Sequence, residues 1–156
     1  MTREEYLEEK VKFSYEKFKQ NRFFRKVRAI ILKGNDVVIL KTISGFTFPG
    51  GGVDDNESLA DACKREAYEE SGIIVKPIKV VHKNYYSVPM RYNNESFSSK
   101  RVEFFYLCEY VSQDNKQLGL DGEFEDKVEI MLVPKEKLDF LYEIKKYQFL
   151  RKLFNT

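Results

Sequence analysis

The stretch from Gly51 to Ile73, GGVDDNESLADACKREAYEESGI, constrains this chain more than any other because its punctuation leaves little choice of local structure. Consecutive glycines after Pro49 exclude regular structure and demand a tight loop. A helix then begins near Ser58, and Gly72 closes it, since a left-handed backbone costs glycine little. Glu66, Glu69 and Glu70 stand at i, i+3 and i+4 of that helix, so three carboxylates share one face with Cβ atoms about 5–6 Å apart. With Leu59 as reference and about 100° per residue, Ala62 and Cys63 fall within roughly 60° of it and Glu66 and Glu70 within roughly 20°. The acids therefore continue the apolar stripe, while Asp61, Lys64 and Tyr68 take the solvent side. A merely solvated acidic face would cost only about 0.2–0.5 kcal/mol per pair, but inward carboxylates at an effective dielectric near 20 repel by about 3–4 kcal/mol unless neutralised. A divalent cation is the natural neutraliser. Carboxylates with no nearby His or Cys select a hard ion, so Mg2+ or Mn2+ is expected rather than zinc.

Charge distribution points the same way. Residues 51–73 hold seven Asp/Glu against two Lys/Arg, in a chain whose net charge is +2, so the acid is concentrated rather than spread. The scattered Lys and Arg elsewhere suit an anionic substrate, and the overall charge does not argue for duplex nucleic acid. A length of 156 residues suits one domain spanning 1–156. No apolar run approaches the ~18 residues of a membrane span, and MTREEYLEEK lacks the basic start and apolar stretch of a secretory signal, so a cytoplasmic protein is expected. Cys63 and Cys108 belong to no C-x-x-C pair and are expected as packed, reduced thiols, and His82 as a strand residue rather than a ligand.

Around the central helix, Thr2 to Glu5 forms a capping box, and Leu7, Val11, Tyr15 and Phe18 mark the apolar stripe of an N-terminal helix over 1–21. That helix is expected to pack on the domain, with a homodimer contact or a substrate lid as the alternatives. Arg25 to Thr42 reads as a hairpin of two buried strands about Lys33-Gly34-Asn35-Asp36. Residues 78–86, 102–111 and 127–133 read as strands separated by polar loops, and Pro134 introduces a last helix over 135–154. Strands, one central helix, more strands and a terminal helix make an α+β layered arrangement.

The motif itself is G-x5-E-x7-R-E-U-x-E-E-x-G-U, with U apolar, filled by Gly51, Glu57, Arg65, Glu66, Ala67, Glu69, Glu70, Gly72 and Ile73. Chance agreement at nine positions is roughly one in 10^9 per window. The stretch resembles the Nudix box of the MutT/Nudix hydrolases. That resemblance implies a mixed β-sheet sandwiched between α-helices, here with an added N-terminal helix. It also implies metal-dependent hydrolysis of a nucleoside diphosphate linked to another group, by water attack at phosphorus. By position, Glu66, Glu69 and Glu70 take the place of the metal-ligand set, Glu57 that of an auxiliary acid, and Arg65 that of the residue orienting the glutamates. Gly51 would bring its backbone close to a metal or phosphate. Asn56 stands where many relatives have glycine, a change that its tolerance of a left-handed backbone accommodates.

The general base is either Glu66 in the box or a glutamate on a later loop, Glu123, Glu125 or Glu129, of which Glu125 is the candidate taken forward. Phe46, Tyr85, Pro89 and Arg91 are candidate substrate-binding residues, alongside Phe48, Tyr86, Tyr92, Phe97, Lys100 and Arg101. Pro89 stands 16 residues after Ile73, resembling the spacing of ADP-ribose-type members, so ADP-ribose or a nucleotide sugar is the expected substrate. The alternatives are a nucleoside triphosphate substrate and a Nudix-fold sensor that binds without cleaving; the complete set of box glutamates argues against the sensor.

Overall fold

Two stretches rich in β-branched and apolar residues on either side of Gly34 begin the sheet, and its long parallel neighbour comes from chain far away in sequence. The computed structural model describes residues 1–114 and 128–155. In chain order these form α1 (Arg3–Lys19), β1 (Phe24–Lys33), β2 (Asp36–Thr42), β3 (Gly45–Thr47), β4 (Gly50–Gly52), α2 (Leu59–Ser71), β5 (Ile73–Tyr92), β6 (Glu95–Gln113) and β7 (Glu129–Pro134). Short helical turns follow, 3-10 at Lys135–Lys137 and Lys145–Tyr147, with α3 (Asp139–Tyr142) between them and α4 (Phe149–Phe154) last.

Among the described residues the strands form one seven-stranded mixed sheet. β1 runs parallel to β6 from Phe24/Arg101 to Leu32/Glu109, and its N-terminal half pairs antiparallel with β4 on the other side. The expected hairpin exists only at its tip, where Leu32 pairs with Val37 and Lys33 with Asp36; β2 then leaves to pair with β3 and β7. Both strands are buried because both sheet faces are covered. Val27, Ala29 and Ile31 meet Ala62, Cys63 and Ala67 of α2 on one face. On the other face Ile30, Val37 and Ile39 meet Phe105, Leu138, Leu141, Tyr147 and Leu150.

Besides the glycines at 50–52, which form the short strand β4 paired with Lys26–Arg28 rather than a loop without regular structure, the structure corrects three expectations. Residues 135–154 are not one helix: Ile144 takes an extended backbone (φ −88°, ψ 116°) and splits the segment. In a straight helix Tyr147 would lie roughly 180° from Leu138 at about 100° per residue, yet both are buried against the sheet, so the chain must break to bury both. The stretch around Pro89 is not a loop. β5 and β6 form one long hairpin turning at Asn93 and Asn94 (φ 52° and 62°), with Pro89 opposite Ser98. β5 is the outer strand of the order β3-β2-β1-β6-β5, where a residue without an N–H is tolerated.

The third correction is in α1. Thr2 caps it, accepting from the Glu5 amide at 3.1 Å. Its buried residues, however, are Ser14 and Lys17, while Leu7 and Phe18 of the supposed packing stripe are 46% and 38% exposed. Tyr15 and Phe18 instead lie along the distal hairpin, with ring centroids 5.4 and 5.1 Å from Phe97, and Tyr15 is 5.1 Å from Tyr92. No described helix is long and apolar enough to cross a membrane.

Candidate active site

Local sequence builds the frame of the site. Ser58 Oγ accepts from the Asp61 amide at 3.0 Å and starts α2; Gly72, at φ 72°, stops it and donates its amide to the Tyr68 carbonyl at 2.8 Å. Pairing of β4 with β1 sets Gly51 opposite Val27 and directly over the side chain of Glu66. A Cβ on Gly51 would meet the Glu66 carboxylate at 2.6–2.7 Å, so only a glycine admits that carboxylate here.

Arg65 occupies the middle of the acidic cluster. Its Nε and Nη2 donate to Glu57 at 2.8 Å each, Nη1 donates to Glu66 Oε1 at 2.9 Å and Glu69 Oε2 at 3.4 Å, and Nη2 also reaches the Gly52 carbonyl at 2.9 Å. Repulsion among the inward carboxylates is thus relieved in part by the chain's own guanidinium, in keeping with the expected place of Arg65 as the residue orienting the glutamates. Hydrogen bonds from Arg65 hold the Glu57 carboxyl below its ordinary pKa. Burial pushes Glu66 up, against the opposing pull of Arg65 and, more weakly, of Lys10.

One oxygen has no such relief. Glu66 is 4% exposed, and its Oε2 is buried with no hydrogen-bond partner among the described residues. A buried carboxylate oxygen left bare is costly, and a hard cation beside Gly51 is a group it suits. The set of oxygen donors fits Mg2+ or Mn2+, although among the described residues no three acidic, His or Cys side chains converge on one point. Glu69 faces Arg65, and Glu70 lines the adjoining cleft, so joining them to Glu66 Oε2 requires side-chain rotation.

That cleft, of about 500 Å3, opens over Gly50–Gly52 and Glu70. Five basic side chains border it: Arg3 and Lys10 from α1, Lys26 and Arg28 from β1, and Arg101 from β6. Arg28 donates to Glu103 at 2.9 Å and to the Phe48 carbonyl at 3.1 Å. Burial of Glu103 would raise its pKa, but the charge and hydrogen bond of Arg28, together with Lys146 and Lys26, outweigh it and hold the carboxyl low. Burial, reinforced by Arg28, brings Lys26 down to about 8.

None of Phe46, Tyr85, Pro89 and Arg91 lines this cleft. Phe46 packs edge-on to Phe140 at 4.8 Å, and Phe48 is in the core against Tyr147. Tyr85 is 62% exposed against Phe23, Pro89 is on the outer strand, and Arg91 sits beside Leu7 and Val11 of α1. The positions of Tyr85, Pro89 and Arg91 follow from the long hairpin, whose outer strand carries them along the sheet edge, whereas Arg101 of the same hairpin does line the cleft. Glu123 and Glu125 lie outside the described residues, and Glu129 is exposed on β7 opposite Lys41. Lys26, Arg28 and Glu103 escaped sequence reasoning; the one available signal was that Lys26 and Arg28 are polar and two apart, hence on one face of a strand. Cys63 and Cys108 are both buried with Sγ atoms 3.3 Å apart, and their mutual hydrogen bond and burial push the Cys108 thiol up. His82 stacks on Phe149 at 4.1 Å, away from the glutamates.

Known proteins bear on this arrangement. Over 88 residues, 50% of this chain and 51% of the relative, the sequence is 46% identical to the RNA pyrophosphohydrolase of Vibrio cholerae. The chain spans about half the length of the curated relatives it matches. A NUDIX hydrolase from Nitrosomonas europaea superimposes with TM-score 0.59 at 16% identity, covering 86% of this chain and 87% of that one. An ADP-ribose pyrophosphatase from Streptococcus suis does so with TM-score 0.53 at 19% identity, covering 74% and 76%. At such identities the two structures establish a shared fold. The family model for the NUDIX domain matches residues 22–153, and the chain belongs to that family.

Proposed function

We propose that this protein is a hydrolase that cleaves the pyrophosphate bond of a nucleotide, with Mg2+ or Mn2+ held by Glu66, Glu69, Glu70, Glu57 and the Gly51 backbone. The observation that carries this reading is the buried, unpartnered Glu66 Oε2 set against Gly51, which itself lines the basic cleft. When bound, the cation neutralises charge developing on the diphosphate and acidifies the attacking water. The chain's own residues do the rest. Arg65 fixes the Glu66 carboxylate through Oε1, leaving Oε2 without a hydrogen-bond partner among the described residues. Water forms a new bond to phosphorus, the bridging P–O bond breaks, and the water's proton passes to a carboxylate, for which Glu66 is the candidate within the box. The basic side chains around the cleft hold the phosphates in line.

Two substrate readings remain. The spacing of Pro89 favours ADP-ribose or a nucleotide sugar, but Pro89 is remote from the cleft. The five basic side chains, against the few neutral polar ones such as Ser14, Ser44 and Thr47, favour the triphosphate alternative, because a terminal phosphate calls for Lys and Arg where a sugar calls for neutral groups. Relatives named RNA pyrophosphohydrolase support that second reading, which extends to a 5′-triphosphate on RNA. The test is kcat/KM with Mg2+ for ADP-ribose, a nucleotide sugar, a nucleoside triphosphate and a 5′-triphosphorylated oligoribonucleotide, since that ratio measures specificity. Cleavage of a triphosphate with release of pyrophosphate supports the second reading, and two monophosphates from ADP-ribose support the first. No cleavage of any of the four overturns the proposal.

A further inference from the structure

Helix α1 lies at residues 3–19, outside the segment matched by the family, so its part in the site is not inherited from the NUDIX fold. A helix docked only for stability buries its apolar stripe. This one buries polar side chains more deeply: its two buried residues are Ser14 and Lys17, while Val11 and Tyr15 of the apolar stripe are half-buried and Leu7 is exposed. Arg3, Lys10, Ser14 and Lys17 follow each other at intervals of seven, four and three residues and so occupy one face. That face is fastened at its far end. Lys17 pairs with Asp55 of the box loop, Ser14 Oγ accepts from Arg101 at 3.3 Å, and Tyr15 donates to Glu95 at 3.2 Å. Phe13 packs edge-on to Phe24 of β1 at 5.6 Å.

With the far end fixed, the near end presents Arg3 and Lys10 to the cleft, where they are two of its five basic side chains. Lys10 also borders the adjoining hollow, of about 370 Å3, that contains Arg65, Glu66 and Glu69. Seven residues of helix separate Arg3 from Lys10, about 10 Å along the axis, enough to accompany a chain of phosphates rather than one. Resting on the hydrolase reading above, we propose that α1 is a wall of the catalytic cleft and that Arg3 and Lys10 bind successive phosphates of a polyphosphate substrate, making α1 a specificity element for triphosphates over diphosphate-linked sugars.

The experiment compares wild type, the double variant Arg3→Gln/Lys10→Gln, Lys10→Arg, and Lys76→Gln as a control that removes one charge at an exposed position on β5. Calorimetry at fixed ionic strength without metal measures binding of inorganic tripolyphosphate and of ADP-ribose, and melting curves verify that each variant is folded. The double variant should bind tripolyphosphate at least about tenfold more weakly, as charge-assisted contacts to phosphate predict, and ADP-ribose within about threefold of wild type. Lys10→Arg and Lys76→Gln should stay near wild type. With Mg2+ and a nucleoside triphosphate, the loss should fall on KM more than kcat. Unchanged tripolyphosphate affinity in the double variant, equal loss for both ligands, or no tripolyphosphate binding by wild type overturns the proposal. Absence of hydrolysis by wild type, with the difference in tripolyphosphate binding intact, overturns the hydrolase reading and leaves the anion-binding role of α1 standing.

Discussion

Three consecutive glycines of β4 meet three different surroundings, and substituting each by alanine separates the fold from the site. At Gly51 the new methyl would fall 2.6–2.7 Å from the Glu66 carboxylate, which is 4% exposed and held by Arg65 at 2.9 Å. Ordinary contact requires about an ångström more, so Glu66 must swing away from its present place. Overpacking of this kind costs about 1–3 kcal/mol, and the loss of unfolded-state freedom on replacing glycine returns about 0.4–1 kcal/mol. The net of about 1–2 kcal/mol corresponds to roughly 3–6 °C in Tm for a chain of this size. Activity should fall further than stability, by about 10²-fold in kcat/KM, if Glu66 moves by about 1 Å from the geometry that catalysis needs. At Gly52 the methyl would meet only the Phe24 ring at 3.4 Å, so Gly52→Ala should stay within about 0.5 kcal/mol of wild type. At Gly50 it would collide with the Val27 carbonyl, which is backbone and cannot rotate aside, so Gly50→Ala should lose about 3 kcal/mol or more. Thermal melts and kcat/KM on the three variants read both scales. Gly51→Ala behaving like Gly52→Ala in both would refute the placement of Glu66 under Gly51.

Two further outcomes follow from the charges. Arg65→Lys keeps the cation, but one ammonium cannot span Glu57, Glu66, Glu69 and the Gly52 carbonyl, so denaturant unfolding should show a loss of about 1–3 kcal/mol and kcat/KM should fall at least about tenfold; wild-type values in both would remove the organising role of the guanidinium. Lys26, lowered from 10.5 to about 8, binds its proton less well in the folded than in the unfolded chain, so wild-type stability should rise with pH between about 8 and 10.5. Lys26→Met should therefore be more stable at pH 7, by at most about 3 kcal/mol, with the advantage shrinking toward pH 10; an advantage that does not change with pH would contradict burial as the cause.

Much of the site's frame was legible in the sequence because local rules govern it. Ser58 and Gly72 delimit α2, and the spacing of Glu66, Glu69 and Glu70 fixes their common face whatever surrounds them. Of the cleft's basic side chains only Arg101 was a candidate from sequence, because Arg3 and Lys10 of α1 and Lys26 and Arg28 of β1 meet it only through tertiary packing. Residues 87–101 read as loop because their strands are polar and turn at Asn93-Asn94, a weaker signal than an Asn-Gly turn. That miss displaced the substrate candidates, for Tyr85, Pro89 and Arg91 all ride on the long hairpin. Residues 135–154 carry helical spacing of apolar residues in two sets whose phases disagree, and only the buried positions of Leu138 and Tyr147 reveal the break between them.

The most direct measurement is of Mg2+ and Mn2+ binding by the protein without substrate, in wild type and in Glu66→Gln/Glu70→Gln, by calorimetry and thermal melting. The bare Glu66 Oε2 predicts binding heat and a rise in Tm for wild type, about 2.7 kcal/mol of stabilisation at a hundredfold excess over Kd, reversed by chelator and absent from the double variant. No binding heat and an unchanged melting curve in wild type, or the same response in the double variant, would contradict a cation held at these glutamates.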